Sequence, residues 1–367
     1  MSSVVVATRD VVGTRMAGPG IRAWHLAREL RKIAPTTLIA RFEDPLPSDG
    51  VRLVDRESDD ARTAMREATV LIGQPARGFR RRRSGQRIVF DLFDPTVLEL
   101  RELYGQLPSL RQRVHLAAEW SRLCEALMTA DLLICAAAVQ RRFYESLQSC
   151  DAPWIEVPFG VDFDETGSCA KPQANVVVWG GGVWEWLDPK TAVDAIVQLN
   201  ADGLPCKLLF LGRSRPNRDL IDRRRDDRFD ELLQRGGGLV SVSADWVPYR
   251  ERLSWLRSGK AAIMLHRATA EAEYAIRTRL FDAIAAGIPV IATERGFAAD
   301  LVESEGLGIV VPPEDARAVA GAIRRLLMDD VFRSACVMNL ERVRPRFAWE
   351  VVTRPLADTV SAWLKQE

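Results

Sequence analysis

The sequence is poor in histidine, its cysteines are scattered, and it lacks any long apolar segment. Its 367 residues include 3 histidines and 6 cysteines, with no CxxC pair and no Cys/His cluster. This spacing argues against a zinc site and favours buried thiols in a reducing compartment. We therefore expect no metal centre.

Charge and hydropathy argue against two further classes of protein. Lysine and arginine total 51 against 50 acidic residues, so the net charge of +1 gives no indication of nucleic-acid binding. No run approaches the roughly 20 apolar residues of a membrane span. The amino-terminal MSSVVVATRD lacks the layout of a signal peptide. The sequence thus predicts a cytoplasmic protein.

Length and patterning predict two α/β domains. A chain of 367 residues is too long for one ordinary core, and 47% hydrophobic with 28% charged residues is typical of a globular protein. Short apolar strands alternate with helical segments, and a glycine-rich turn follows the first strand of each half. We expect two doubly wound Rossmann-like domains, residues 1–165 and 166–345.

The most informative stretch runs from Arg277 to Thr293 and reads RTRLFDAIAAGIPVIAT. Its apolar residues recur at helical spacing, at Leu280, Phe281, Ile284 and Ala285. Gly287 suits the left-handed conformation that closes a helix, and Pro289 prevents the helix from continuing. Residues 290–292 are apolar and predict a buried strand, so the unit is a helix, a tight turn and a parallel strand.

Polar residues crowd the amino-terminal end of this predicted helix. Arg277, Thr278 and Arg279 lie where free backbone N–H groups and the helix dipole favour an anion. Asp282 follows within the first turn, where it suits the helix dipole, and its carboxylate is able to accept hydrogen bonds from hydroxyls. This arrangement indicates a nucleotide, with its phosphate on the arginines and its ribose on the carboxylate. A surface helix with a charged first turn explains the segment equally well.

The opening of the chain has a glycine-rich loop between a strand and a helix. Gly13, Gly18 and Gly20 precede an apolar helical face, so the backbone there is able to approach a phosphate. The spacing is not GxGxxG, and no acidic residue ends a second strand at the proper distance, which argues against a nicotinamide cofactor. We interpret His25, within this helix, as a structural residue.

Charged segments of the first half leave alternatives open. Arg80 to Arg83 suit anionic lipid or a phosphorylated acceptor, but also a solvated loop. Asp91 and Asp94 follow a strand at its carboxyl end, where open α/β sheets bind ligands. Asp94 is a candidate contact to a sugar hydroxyl, although an N-capping role is equally natural. Asp162 and Asp164 form a DxD pattern, which we interpret as structural.

The second half repeats the opening pattern in NVVVWGGGVWEWLDPKTAVDAI. Three glycines, Gly180 to Gly182, follow an apolar strand and precede a tryptophan-rich turn and a helix. Trp184 and Trp186 are able to stack on the face of a sugar, and a place in the hydrophobic core is the alternative.

These segments together resemble the GT-B-fold glycosyltransferases, specifically the retaining, family-4-like group. The resemblance covers nearly the whole chain and is carried by GPGIRAWHLARELRK, FDLFDP, VPFGVD, GGGVWEWLDP, RTRLFDAIAAGIPVIAT and RFAWE. It implies an amino-terminal domain for the acceptor and a carboxyl-terminal domain for a nucleotide-sugar donor, with the reaction in the cleft between them. It also implies that residues 346–367 form a helix that crosses back to the first domain.

The sequence departs from the family pattern at the acidic pair. The family carries two Glu separated by seven residues, whereas Tyr274 here occupies the first position and Asp282 the second. The resemblance therefore implies that Asp282 contacts the ribose, and that Glu271 or Glu273 replaces the carboxylate that contacts the donor sugar.

A second departure concerns positive charge beside the diphosphate. The usual Arg and Lys after the first strand of the second domain are replaced by GGVW, residues 181–184. Arg277 and Arg279 are the candidates to supply that charge instead. In retaining members the leaving phosphate is thought to deprotonate the acceptor, so the resemblance requires no separate base.

The motifs and the resemblance together assign the following residues. Those assigned to catalysis are Arg277, Arg279, Glu273 and Asp94. Those assigned to donor binding are Gly18, Gly20, Gly181, Gly182, Trp184, Arg213, Val247, Thr278 and Asp282. The donor is a nucleotide-diphosphate sugar, with no cofactor and no metal. The acceptor is a small molecule, a saccharide or a lipid-linked hydroxyl, with peripheral membrane contact through Arg80–Arg83.

Two alternatives keep this fold and change the function. One is a nucleotide-sugar epimerase or coupling enzyme, and the other is a non-catalytic subunit that binds a nucleotide sugar. An epimerised donor formed without an acceptor would indicate the first. Tight nucleotide binding without turnover over a broad acceptor panel would indicate the second.

Overall fold

The computed structural model describes residues 3–44, 46–147, 150–162, 175–212, 223–243 and 246–366, with the backbone alone at 223–227. The chain divides into two compact units. The first comprises Met1–Gly160, Tyr274–Ile276 and Ala348–Glu367, and the second comprises Val161–Glu273 and Arg277–Phe347. The boundary predicted at residue 165 lies outside the described residues.

The first unit is built on a parallel sheet of seven strands. They are β1 (Val4–Gly13), β2 (Thr36–Glu43), β3 (Arg52–Asp55), β4 (Val70–Gly73), β5 (Arg87–Asp91), β6 (Leu132–Cys135) and β7 (Trp154–Glu156). Their order is β3-β2-β1-β4-β5-β6-β7, so the winding reverses between β1 and β4. Apolar residues of these strands form a buried core with the helices.

The helices of the first unit, all but the last, lie in connections between successive parallel strands. They are α1 (Gly18–Arg31), α2 (Asp59–Glu67), α3 (Thr96–Tyr104), α4 (Leu110–Thr129), α5 (Ala138–Leu147) and the last helix of the chain, α14 (Trp349–Leu364). Side chains begin two of them, because Ser58 caps α2 and Ser109 forms a capping box with Gln112 on α4.

The second unit repeats the architecture with six parallel strands. They are β8 (Val176–Trp179), β9 (Lys207–Phe210), β10 (Val240–Val242), β11 (Ala261–Met264), β12 (Val290–Thr293) and β13 (Gly308–Val311), in the order β10-β9-β8-β11-β12-β13. Its helices are α6 (Pro189–Ala201), α7 (Arg223–Gly236), α8 (Arg252–Arg257), α9 (Ala270–Tyr274), α10 (Thr278–Ala286), α11 (Gly296–Glu305), α12 (Ala316–Met328) and α13 (Asp330–Val343). The predicted α/β class with two doubly wound sheets is confirmed.

The helix–turn–strand unit predicted at 277–293 is also confirmed. The four apolar residues of the predicted stripe are all buried on α10, and Gly287 ends the helix in the left-handed conformation with φ of 67°. The strand β12 follows and is buried along its whole length. The charged amino-terminal end of α10 and the Gly287 turn therefore lie at opposite ends of the helix.

The first strand is longer than the sequence pattern predicts. The sequence analysis places Gly13 in the loop after the first strand, whereas β1 continues to Gly13, with a shift of its register against β2 between Ala7 and Val11. An ideal Cβ on Gly13 would lie 1.6 Å from the carbonyl oxygen of Glu43. Gly13 is therefore a close-packed strand residue, not part of a loop.

No described helix has the length and apolarity that a bilayer span requires.

Candidate functional site

The edge of the second sheet carries a glycine loop at the point where the strand order reverses. Order β9-β8-β11 puts this point between β8 and β11, and Gly180–Gly182 follow the carboxyl end of β8. Gly181 has φ of 83°, a conformation that a side chain disfavours. Open α/β sheets bind ligands at this kind of switch point, so the loop is the natural place for a donor.

Arg279, in the first turn of α10, lies against this loop. Its Nη2 donates to the carbonyl oxygen of Gly182, and its guanidinium carbon lies 5.2 Å from the ring centroid of Trp179. Its Nη1 is buried and has no partner among the described residues. Burial, and then the charge of Arg277, lower the pKa of Arg279 to about 9, against the opposing effect of Asp282. Such a poorly compensated cation favours an anion beside it.

Arg277, two residues earlier, is compensated. Its Nη1 and Nη2 donate to the two carboxylate oxygens of Glu271 at 2.8 and 2.7 Å, and both residues are buried. Burial, and then the charge of Arg277, lower the pKa of neighbouring His266 to about 4, so the imidazole is neutral at neutral pH. In the sequence, Arg277 and Arg279 are equivalent candidates to bind a diphosphate. Among the described residues, a carboxylate partner is present for Arg277 and not for Arg279.

Asp282 is likewise engaged within the second unit. Its Oδ1 accepts from Nε of Arg252 at 2.8 Å. The Arg252 guanidinium also lies 3.8 Å from the ring centroid of Tyr249 and donates to the Tyr249 carbonyl oxygen at 2.7 Å. The Tyr249 hydroxyl donates to Asp162, the described half of the DxD pattern, at 3.3 Å. A ribose contact by Asp282 would therefore share the carboxylate with Arg252.

The remaining predicted donor residues of the second unit occupy different environments. Trp184 stacks on Trp186 with 5.8 Å between ring centroids, and it packs against the core of this unit. Val247 is buried, and its backbone N–H donates to Leu211 at 3.4 Å. Thr278 is the first residue of α10. Glu273 is exposed on α9, and Arg213 lies outside the described residues.

Trp246 is a contact that the sequence analysis missed. An ideal Cβ on Gly212, directly after β9, would lie 3.0 Å from Cε3 of the Trp246 ring. Another on Gly181 would lie 3.9 Å from Cη2 of the same ring and 3.9 Å from Nε of Arg279. Gly212 therefore makes room for the Trp246 ring, whereas a Cβ on Gly181 would make only ordinary van der Waals contacts. The isolated tryptophan after a short strand was the available signal.

In the first unit, Asp91 is joined to a residue that the sequence analysis did not single out. Arg22 on α1 donates to both carboxylate oxygens of Asp91 at 2.7 and 3.0 Å, and to the carbonyl oxygens of Val157 and Pro158 at 2.8 and 3.3 Å. Arg22 is 1% exposed. This ion pair closes the carboxyl edge of the first sheet.

Asp94 lies just beyond that pair. Burial, and then repulsion from Glu99, Asp10 and Asp91, raise the pKa of Asp94 well above its usual value. Its backbone carbonyl accepts from Tyr144 at 3.2 Å. Asp94 therefore keeps its proton to a higher pH than an ordinary Asp, and a protonated carboxyl group is able to donate to a sugar hydroxyl as well as accept.

The glycines of the first loop have separate roles. Gly18 begins α1. An ideal Cβ on Gly20 would lie only 2.3 Å from the carbonyl oxygen of Val11, so Gly20 allows α1 to pack on β1. On the same helix, His25 stacks on Trp349 at 4.7 Å with an interplanar angle of 3°. The helix and α14 are thus joined by ring stacking.

The basic segment Arg80–Arg83 is exposed in the first unit. Arg81 pairs with Asp131 at 2.6 Å, and Arg82 donates to the Gly78 carbonyl. Parts of its charge are therefore engaged within the unit itself. Among the described residues, no group of three or more His, Cys, Asp or Glu is placed to hold a metal ion.

Known structures share this architecture over the full chain. Sucrose-phosphate synthase from Thermosynechococcus elongatus gives a TM-score of 0.73 at 18% identity, with 100% of both chains covered. WaaG, a glycosyltransferase involved in lipopolysaccharide biosynthesis, gives a TM-score of 0.70 at 15% identity, with 98% of this chain and 99% of the WaaG chain covered. HepE from Anabaena in complex with UDP-glucose gives a TM-score of 0.69 at 15% identity, with 99% of this chain and 100% of the HepE chain covered. At these identities the likeness establishes the fold, which is GT-B.

The sequence comparison covers the second unit. Residues 174–329 match the family model described as glycosyl transferases group 1. The second unit is therefore similar to the group 1 glycosyl transferases, within a chain that has the GT-B fold. No curated protein matches the sequence. The predicted resemblance is confirmed.

The group 1 match contains the glycine loop and the whole of α10. Arg279, Arg277, Glu271, Asp282 and Arg252 therefore belong to the matched domain, and the assignments of individual residues stay predictions. The pairing of Arg252 with Asp282 had no sequence signal, because the two residues are 30 positions apart, with β11 and α9 between them.

Proposed function

We propose that this protein is a glycosyltransferase that moves a sugar from a nucleotide-diphosphate sugar to an acceptor hydroxyl, with retention of anomeric configuration and without a metal ion. The donor binds the second unit at the glycine loop after β8, and the acceptor binds the first unit. One observation carries the proposal: Arg279 is a half-buried cation at the amino-terminal end of α10 that lacks a carboxylate partner among the described residues.

The chemistry follows from where charge develops. The bond between the anomeric carbon and the diphosphate oxygen breaks, and a new bond forms between that carbon and the acceptor oxygen. Negative charge gathers on the leaving diphosphate, while the acceptor proton passes to a leaving phosphate oxygen. Arg279 and the free N–H groups at the start of α10 stabilise this charge more in the transition state than in the ground state.

The roles of the neighbouring residues follow from their partners. Arg277 is a positioning residue, because its charge is compensated by Glu271, and the pair holds the segment before α10. Asp282 accepts from the ribose while it keeps its bond to Arg252. Glu273, exposed on α9, is the candidate contact to the donor sugar. The complex of HepE with UDP-glucose supports a nucleotide-sugar donor of this class.

Binding of uridine diphosphate, measured by calorimetry, tests the donor site apart from the acceptor. Arg279→Ala should weaken binding at least about tenfold, equivalent to about 1.4 kcal/mol. Arg317→Ala is the matched control, since Arg317 is an exposed arginine of the same unit outside the site. Equal affinity of the wild type and Arg279→Ala would contradict the proposal, and guanosine and adenosine diphosphates identify the base.

Turnover tests the stereochemistry and the metal. Proton NMR of the released or transferred sugar should show the anomeric configuration of the donor. Rates should be unchanged by a chelator. An inverted product, or activity restored only by a divalent cation, would overturn that part of the proposal.

A cytoplasmic location with peripheral membrane contact through Arg80–Arg83 belongs to the same proposal. It applies where the acceptor is lipid-linked, because exposed arginines are attracted to anionic headgroups. Co-sedimentation with vesicles containing anionic lipid should be lost when the four arginines are replaced by glutamine, and should be absent with neutral vesicles. Sedimentation that the replacement does not change would exclude this contact.

A further inference from the structure

A cluster of polar side chains in the first unit has no part in the reaction as described so far. It consists of Arg9, Tyr104, His115, Glu119 and Arg122, and we name it the Glu119 cluster. Arg9 comes from β1, Tyr104 ends α3, and the other three lie on α4. Residues this far apart in sequence meet only through the fold.

The cluster lies at the carboxyl edge of the first sheet. Pairing of β1 with β4 ends at Ala7 opposite Gly73, so Arg9 extends beyond the end of β4. The register of β1 against β2 shifts between Ala7 and Val11, and Arg9 lies within that irregular stretch. Such bulges re-aim side chains beside active sites. The strand order also reverses between β1 and β4, the place where open α/β sheets bind ligands.

Hydrogen bonds organise the cluster around one carboxylate. Oε1 of Glu119 accepts from Nη1 of Arg9 at 2.9 Å and from Nη2 of Arg122 at 2.7 Å, and Nε2 of His115 lies 3.4 Å away. The Tyr104 hydroxyl is hydrogen-bonded to Nδ1 of His115. If Tyr104 donates to Nδ1, the imidazole proton is on Nε2 and faces Glu119, which makes the chain of bonds consistent.

The protonation states of the two acids are defined by their surroundings. Burial alone would raise the pKa of Glu119, but hydrogen bonds from Arg122 and the charge of Arg9 outweigh it, and the pKa is lowered. Burial, and then the charge of Glu119, raise the pKa of Tyr104. The cluster therefore holds one carboxylate and two guanidinium groups, and one positive charge is left over.

The surplus charge faces outward. The side chain of Glu119 is 7% exposed, whereas those of Arg9 and His115 are 34% and 43% exposed. Arg9 makes its side-chain bond with Nη1, and its Nε and Nη2 have no partner among the described residues. A buried carboxylate thus holds two arginines in fixed positions while leaving N–H groups accessible. Arginine N–H groups in fixed geometry match the oxygens of phosphate and carboxylate groups.

We propose that the Glu119 cluster binds an oxyanionic group of the acceptor, a phosphate or a carboxylate, through Arg9 and Arg122, with His115 beside them. Glu119 and Tyr104 are positioning residues that hold these three. The proposal rests on the proposed function only in that the first unit binds the acceptor. It adds the class of acceptor: one that carries an oxyanion as well as the hydroxyl that is glycosylated.

Histidine NMR provides a local test with the full chain. The protein has 3 histidines, and His25 and His266 are only 2% and 3% exposed, so His115 is the accessible reporter. Inorganic phosphate or acetate is titrated against chloride at constant ionic strength. The ring signal assigned through His115→Gln should shift and saturate with at least one of the two anions and not with chloride. Phosphate alone, or acetate alone, identifies which oxyanion the cluster prefers.

Arg9→Ala should weaken the saturating response at least about tenfold. The matched control is Arg113→Ala, which removes an exposed arginine from the same helix outside the cluster. Arg9 is one of three groups on Glu119 and is partly exposed, so the variant should fold, and unchanged His25 and His266 signals verify this. No saturation in the wild type, or an equal response in Arg9→Ala, would overturn the proposal.

The outcome is distinguishable from failure of the proposed function. The titration is repeated in Arg279→Ala, so that a His115 shift that persists in this variant is not caused by anion binding at the donor site. Loss of nucleotide binding with an intact His115 response would reject the donor assignment alone. Intact nucleotide binding with no His115 response would reject the oxyanion site alone.

Discussion

Two arginines, each at the carboxyl edge of its own sheet, show how the two units differ. Arg22 in the first unit gives its donors to Asp91 and to two backbone carbonyls and is 1% exposed. Arg279 in the second unit has a carbonyl and an aromatic ring beside it, and its Nη1 has no partner among the described residues. A fully paired buried arginine stabilises the fold, whereas an incompletely paired one is available to a ligand.

The largest expected effect is at Arg22. Arg22→Ala leaves Asp91 buried without its partner, so the free energy of unfolding should fall by about 3–5 kcal/mol, measured in urea. The control is Arg28→Ala on the same helix, which breaks a half-exposed pair with Asp49 and should cost less than about 1 kcal/mol. Similar losses of unfolding free energy in Arg22→Ala and Arg28→Ala would show that the burial of the ion pair does not determine the cost of breaking it.

The next effect is a pH dependence that originates beside Arg277. The pKa of His266 is about 4 in the folded protein and 6.5 for an ordinary histidine, so the unfolded chain binds more protons between these values. The free energy of unfolding should therefore fall by about 3 kcal/mol as the pH is lowered from 6.5 toward 4. Denaturation curves should lose this slope in His266→Gln and keep it in the exposed-site control His115→Gln.

Asp94 in the first unit should contribute the opposite slope. Its raised pKa means that the folded protein retains a proton that the unfolded chain releases, so its contribution to stability declines as the pH rises above the ordinary Asp value. Asp94→Asn should raise the free energy of unfolding at neutral pH. A lower value would show that the carboxylate form is the stabilising one.

Two glycines, one in each unit, provide a second comparison with smaller expected changes in stability. Gly20→Ala puts a methyl group 2.3 Å from the Val11 carbonyl and should cost about 1–3 kcal/mol through overpacking. Gly181→Ala meets no atom closer than 3.9 Å and should cost about 1 kcal/mol through its positive φ. Thermal unfolding of the two variants measures the difference. The reverse order would mean that α1 shifts to make room.

The smallest change in stability should come from Arg279. Arg279→Met removes a poorly compensated charge and keeps much of the packing on Trp179, so the free energy of unfolding should stay constant or rise by about 1 kcal/mol at most. Nucleotide affinity should nevertheless fall, as for the alanine variant. Destabilisation comparable to Arg22→Ala would show that Arg279 is structural.

Prediction from sequence succeeded where the pattern is local. The apolar spacing of Leu280, Phe281 and Ile284, with Gly287 and Pro289 after them, is sufficient to predict α10, its end and the following strand. It failed for β1, because Gly13 resembles a loop glycine until its contact with the Glu43 carbonyl is known. Residue spacing along the chain does not show which residue of another strand packs against a given position.

The same limit applies to the candidate site. Arg277 and Arg279 are indistinguishable in sequence, both at the start of one helix. Only the folded chain brings Glu271 against the first of them and leaves the second beside Gly182. Arg252 and Asp282, 30 residues apart, pair for the same reason.

The sequence by itself determined the two α/β units, the glycine loops and the charged first turn of α10, because hydrophobic periodicity and backbone preference act between near neighbours. The tertiary structure alone decided which charges are compensated, from Arg22 with Asp91 to Glu119 between Arg9 and Arg122. Charge compensation depends on distance in space, and residues far apart in the chain reach that distance only after folding.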